Sequence, residues 1–288
     1  MNLFVFGIGY TAGHCLRDQR SRFARVAGTV RTRERCDELA RDGITAFVFD
    51  GDVVDARIVP ALDEADAILV SVQPHSGRDP VLERFADRIR ESPARSLVYL
   101  STIGVYGDHG GAWIDETTPP APESERGRQR LAVEDEWLAL GALSAKSVAV
   151  LRLAGIYGPG RNVLDDLRAG EARRIDKPGQ VFNRIHVADI GQAIAGALAE
   201  RAHGTWNIAD DEPAPAPDVV AYGATLLGVA PPPLIPFADA ELSPMARSFY
   251  GANRRVSNDA MKRDLGVRLN YPTYRDGLKG ILATMGLA

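Results

Sequence analysis

The chain lacks most of the features that would tie it to a membrane, a metal or a disulfide framework. It has only two cysteines in 288 residues, Cys15 and Cys36. Both lie in helix-like segments without metal-ligand spacing, so they read as buried or free thiols, and no metal site is expected. No apolar run approaches the roughly 20 residues that span a bilayer. The N-terminus enters Asn2-Leu3-Phe4-Val5-Phe6 directly, with no basic leader or cleavage pattern, so we expect a cytoplasmic protein without membrane attachment. The net charge of −4 supplies no basic face, which argues against nucleic acid. A hydrophobic fraction of 45% with 25% charged residues is that of an ordinary globular protein, which excludes disorder, coiled coil and collagen. Local arginine clusters, such as Arg126, Arg128 and Arg130, read first as solvated helix faces.

What the chain does have is alternation. The runs 2–6, 25–30, 45–49, 67–72, 97–101 and 147–153 are short, almost wholly apolar and bounded by Gly, Asp or Ser. Such runs suit strands covered on both faces. Helical patterns near 11–20, 33–41, 80–91 and 126–141 separate them, and Thr205-Trp206-Asn207-Ile208 forms a seventh strand after a helix near 188–201. This alternation predicts an α/β fold with a doubly wound parallel sheet. Beyond residue 210 prolines and acidic residues break the pattern. The expected division is a cofactor-binding domain of 1–160 plus 186–210, and a smaller substrate lobe of 161–185 plus 211–288.

The first strand runs into Gly7-Ile8-Gly9-Tyr10-Thr11-Ala12-Gly13 and thence into a helix. This is G-x-G-x-x-A, the dinucleotide fingerprint of an NAD(P)-binding Rossmann fold. Gly7 allows the tight turn, Gly9 lets backbone approach a pyrophosphate, and Ala12 with Gly13 lets helix pack on strand. Tyr10 and Thr11 open the helix whose amides face the phosphates. After the second strand comes Arg31-Thr32-Arg33, with no carboxylate before Glu34. An acidic residue there holds the ribose of NAD, whereas arginine accommodates the 2′-phosphate of NADP. Arg31 and Arg33 therefore point to NADP over NAD, the alternative being two solvated arginines at a helix start.

Further motifs follow in order: Leu100-Ser101-Thr102-Ile103-Gly104-Val105-Tyr106-Gly107, Leu151-Arg152-Leu153-Ala154-Gly155-Ile156-Tyr157-Gly158-Pro159-Gly160-Arg161, and Arg184-Ile185-His186-Val187-Ala188-Asp189. With Thr205 to Asp210 they resemble the NAD(P)-dependent epimerase/dehydratase family, the extended or atypical short-chain dehydrogenases/reductases, over nearly the whole chain. The resemblance implies that Asp50 and Gly51 meet the adenine and that Val70, Ser71 and Val72 line the cofactor trough. It places Ser101 and Thr102 near the nicotinamide, with Thr102 at the catalytic Ser/Thr position, and Gly155 to Tyr157 at the nicotinamide end. His186 and Asp189 fall in a structural segment.

Two departures stand out. Tyr10 occupies the place of the family's middle glycine, which suggests the atypical branch. The family's Tyr-x-x-x-Lys pair is missing, since none of the eight tyrosines has a lysine four residues on. If Leu131-Ala132-Val133-Glu134 is matched to the residues after that lysine, Arg126 replaces the tyrosine and Arg130 the lysine. A guanidinium keeps its proton in proteins and cannot serve as a general base. The catalytic candidates are then Thr102, Tyr106, Arg126 and Arg130, with Tyr157, His75 and His109 as further proton carriers near the cleft.

Two functions stay open. One is an NADP-dependent oxidoreductase or epimerase acting on a small anionic or sugar-nucleotide-like substrate with unusual acid/base groups. The other is a non-catalytic NADP-binding sensor or scaffold. Tyr250 to Asn258 resembles the family's substrate-side segment, and its arginines face either an anionic ligand or solvent. A homodimer through the helices near 80–91 and 126–141 is expected, with Leu131, Val133, Leu138 and Leu140 as contact residues unless sheet packing takes them.

Overall fold

A computed structural model describes residues 1–75 and 77–286. The chain begins with β1 (Asn2–Phe6), α1 (Tyr10–Asp18), β2 (Arg25–Val30), α2 (Arg33–Arg41) and β3 (Thr45–Val48). It continues through α3 (Ile58–Leu62), β4 (Ala67–Val70), α4 (Pro80–Glu91) and β5 (Ser96–Thr102). Next come β6 (Trp113–Ile114), α5 (Glu125–Ser144), β7 (Ser147–Leu153), β8 (Gly155–Tyr157), α6 (Val163–Ala169), β9 (Arg174–Asp176) and β10 (Arg184–His186). The remainder is α7 (Val187–Ala199), β11 (Gly204–Ile208), α8 (Ala216–Leu227), β12 (Leu234–Pro236), α9 (Pro244–Ser248), β13 (Arg255–Val256), α10 (Asp259–Asp264) and α11 (Tyr274–Thr284).

The central sheet is seven-stranded and wholly parallel, in the order β3-β2-β1-β4-β5-β7-β11. The order reverses between β1 and β4, so loops splay apart there at the carboxyl ends of the strands, where open α/β sheets bind ligands. Period-two alternation sends successive residues of β1 to opposite faces. Leu3 and Val5 meet α1, α2 and α7 residues such as Leu16, Leu39 and Ile194. Phe4 and Phe6 meet α3, α4 and α5 through Leu62, Phe85 and Trp137. Cys15 lies in the first of these layers, where burial pushes its thiol up to about 12 and leaves it unreactive.

Helix starts follow local chemistry. Asp79 caps α4 by accepting from Val81 and Leu82, with Pro80 at the first helical position. Ser124 caps α5, and Thr273 forms a capping box with Asp276 at α11.

Past β8 the chain leaves the sheet. There α6 packs on α8, and β9 pairs with β12, so 174–176 and 234–236 lie side by side. A third apolar cluster, including Leu164, Val219, Tyr274 and Leu278, gives this region a core of its own. The chain also returns at β13 to pair with β6 beside the main sheet. Val133 and Leu140 are 1% and 5% exposed and sit in the layer under α5, so sheet packing takes two residues expected at a dimer contact. No helix among the described residues is long and apolar enough to cross a membrane.

Candidate active site

The glycine loop after β1 is fixed from β2. Thr29 accepts the Gly7 amide on its hydroxyl at 2.9 Å and the Ile8 amide on its carbonyl at 2.8 Å. Gly7 has φ +83°, and a Cβ there would lie 2.9 Å from Val72, so glycine is required on both counts. Above Gly9 the space is open, since a Cβ would meet nothing within 4 Å. No side chain caps α1, its first turn holds no acid, and no acceptor among the described residues takes the amides of Tyr10, Thr11 and Ala12. Free amides at a helix start over open space fit the pyrophosphate of a dinucleotide. The Tyr10 hydroxyl crosses to the Pro159 carbonyl at 3.1 Å and ties this loop to the one after β8.

At the end of β2, Arg31 and Arg33 are both exposed. Arg33 makes a loose contact with Asp37 at 3.8 Å, and Arg31 has no partner among the described residues. Glu34, the first carboxylate in reach, is turned back onto its own amide and the Thr32 hydroxyl, which hold it below the usual carboxylate range. Asp50 spends one oxygen on the Asp52 and Val53 amides and shapes the turn carrying Gly51. Ser71 and Val72, after β4, pack against Gly7 and form the floor beside the glycine loop.

The other end is built where α5 meets β5. Gly127 allows close approach, because a Cβ there would sit 3.4 Å from the Gly104 carbonyl and 2.8 Å from Pro122. That contact sets the start of α5 against the turn following Thr102. Thr102 is half-buried; its oxygen accepts the Gly104 amide at 3.1 Å, which leaves its proton free to donate. Arg126 is exposed and donates to Gln73 at 3.1 Å, across the opening from the loop after β4. Arg130 is 6% exposed, with Nη1 on the Leu100 carbonyl at 3.0 Å and no acceptor for Nε or Nη2 among the described residues.

Two expected site residues have side chains turned to the interior. The Ser101 hydroxyl turns inward to Glu134, so it serves the interior rather than a cofactor. Tyr106 is fully buried, donates to Asn207 at 2.9 Å and lies under the Arg152 guanidinium, 4.7 Å from its ring centre. Burial raises its pKa. The motif pattern missed the centre of this network, a buried ion pair in which Arg152 holds Glu134 at 2.7 Å with 7% and 1% of the side chains exposed. The available signal was a lone arginine in the apolar strand Ser147–Leu153.

His186 caps α7 by accepting the Ala188 amide, and burial pushes its pKa down to about 4. Asp189 accepts the amides of Asn270 and Tyr271, pinning the C-terminal segment to α7. Tyr157 is buried with its hydroxyl aimed at the Thr273 carbonyl, and desolvation pushes its pKa up. His75 faces solvent, while His109 bonds the Tyr106 carbonyl at 3.0 Å. In the segment Tyr250 to Asn258, Asn253 pairs with Asp108, and Arg254 reaches the Gly107 carbonyl at 2.5 Å. Arg254 thus braces the loop beyond Tyr106 instead of standing in solvent.

Asp210, 2% exposed, gives a pH dependence. Desolvation raises its carboxyl from an ordinary 3.8 to about 8. Between those values the folded chain binds one proton more than the unfolded chain, so stability falls as pH rises through that window. The decline contributed by this one group is at most about 1.4 kcal/mol per pH unit. Urea unfolding at pH 6 and pH 8 should show this loss, and Asp210→Asn should flatten it; an unchanged slope in the variant would count against the assignment.

Comparison with known proteins follows this geometry. The family model described as NAD dependent epimerase/dehydratase matches residues 81–209. A solved structure of a conserved protein of unknown function from Silicibacter pomeroyi DSS is 44% identical, with 99% of each chain covered and a TM-score of 0.89. One from Methylobacillus flagellatus, proposed to be an NAD-dependent epimerase/dehydratase, is 25% identical over 99% of this chain and 98% of that one, with a TM-score of 0.73. Among curated proteins, a 3-diazoavenalumate denitrifying reductase of a Streptomyces species is 28% identical over 96% of this chain and 99% of its own length. With the sheet order and the glycine loop, these matches lead to one conclusion: residues 81–209 match the NAD dependent epimerase/dehydratase family, and the whole chain is similar to a structure proposed to belong to it.

Proposed function

We propose that this protein is an NADP-linked reductase acting on a small anionic substrate, with Thr102 and Arg126 at the reacting end. The observation that carries the reading is Arg126, held at the mouth beside the Thr102 turn by its bond to Gln73. The α1 amides take the pyrophosphate, Arg31 and Arg33 the 2′-phosphate, and the spare donors of Arg130 the ribose. Residues 1–160 with 186–210 form the cofactor-holding unit, and 161–185 with 211–288 the substrate lobe.

When bound in its reduced form, the dinucleotide supplies hydride to an electrophilic acceptor. Thr102 donates its free proton in a hydrogen bond to the acceptor's oxygen or nitrogen, and Arg126 stabilises the negative charge that develops there. A guanidinium neither gives up nor removes a proton, so the proton that completes the reduced product comes from water at this exposed end of the cleft. The name of the Streptomyces relative, a reductase, supports the same direction. A cofactor-binding sensor is the second reading, favoured by the burial of Tyr106, which removes one proton carrier from the cleft.

A panel of anionic carbonyl and other electrophilic acceptors, followed by loss of nicotinamide absorbance, tests the proposal. NADPH consumption by at least one acceptor class is expected. Tight NADPH binding with no consumption across the panel would favour the sensor.

A further inference from the structure

We infer that the C-terminal lobe carries a second ligand site, a cavity for a small apolar carboxylate whose charged end meets Arg184. This inference does not rest on the reductase reading. The cavity has a volume of about 200 Å³ and is walled by Val219, Val220 and Leu278 with Tyr157 and Tyr274. Its single charged lining residue is Arg184. An apolar cavity of about 150 Å³ already accommodates benzene, so this one has room for a single ring or a branched chain. Apolar walls with one oriented polar group are the usual make-up of a small-molecule pocket.

Arg184 forms no ion pair among the described residues. Its Nη1 donates to the carbonyls of Phe182 and Ala214 at 2.9 and 3.1 Å, both neutral acceptors. Nε and Nη2 have no acceptor among the described residues, and no carboxylate there forms an ion pair with this side chain. The adjacent Asp210, whose amide pairs with the Arg184 carbonyl, forms no ion pair with this guanidinium, and burial raises its carboxyl pKa. The guanidinium lies over the Tyr274 ring, 5.9 Å from its centre, and its spare donors match the two oxygens of a carboxylate. The cavity lies among α6, α8 and α11, and none of Arg31, Thr102 or Arg126 lines it.

The test is calorimetric titration of the NADP-saturated protein with benzoate, with benzyl alcohol as the neutral analogue. Benzoate should bind saturably and at least about tenfold more tightly than the alcohol, the scale of a charge-assisted hydrogen bond. Arg184→Gln should remove that preference, and Val220→Trp should block both compounds while NADPH affinity is kept. Crystals soaked with 4-bromobenzoate should place bromine between Val220 and Leu278, which decides the matter even if a variant folds poorly. Absence of saturable benzoate binding, equal binding to folded Arg184→Gln, or bromine in the cofactor cleft would overturn the inference.

Discussion

Replacing Glu134 with alanine is expected to remove about 3–5 kcal/mol of folding free energy, the cost of stranding a buried charge. Arg152 would lose a two-oxygen partner in a place where 7% of its side chain meets solvent. The Ser101 hydroxyl would lose its acceptor at the same time. Tyr106, whose ring lies against the Arg152 guanidinium, cannot replace a carboxylate. The cost comes from the unpaired cation rather than from the worth of the pair, so Glu134→Leu with Arg152→Met should recover most of it. Urea midpoints for the wild type, the single variant and the double variant settle this. A single-variant loss below about 1 kcal/mol, the ordinary range for an exposed pair, would show that the two charges are solvated.

Arg126→Ala should cut kcat for acceptor reduction by about 10² to 10³, the usual cost of deleting one donor aimed at developing charge. Its one hydrogen bond among the described residues is to Gln73, and the side chain is exposed, so the variant should fold normally. An interaction realised only in the transition state lowers kcat and kcat/KM together and leaves KM in place. Arg126→Lys keeps the charge but loses the planar fork, and should recover part of the rate. Steady-state kinetics with an acceptor from the panel provides the check; a rise in KM at constant kcat would make Arg126 a substrate anchor and remove it from the chemistry.

The fold was legible where single residues had single consequences. Six of the seven sheet strands appear as apolar runs because both faces of a parallel sheet are covered, and β7 reads from Ser147 to Leu153 without help from tertiary context. Short pairs such as β6 with β13 could not be seen, because two residues carry no period and their pairing is set by the returning chain. The five-residue α3 contains Pro60 and was missed for the same lack of length. In the candidate site, the turn at Gly7 and the exposure of Arg31 and Arg33 follow from residue type alone, through backbone freedom and charge. The directions of Ser101 and Tyr106 do not, since they follow from Glu134 and Asn207, partners distant in sequence. Val133 and Leu140 looked available for a partner subunit because an apolar helix position does not say which neighbour covers it.

The central claim is that the glycine loop and the arginines after β2 hold NADP. Titrating the wild type and the Arg31→Ala/Arg33→Ala variant with NADPH and NADH, followed by fluorescence, tests it most directly. The wild type should prefer NADPH by one to two decades, about 1.5–3 kcal/mol of charge-assisted contact, and the variant should lose that preference while still binding NADH. Equal wild-type affinities for the two cofactors, or a preference that survives loss of both arginines, would contradict the account.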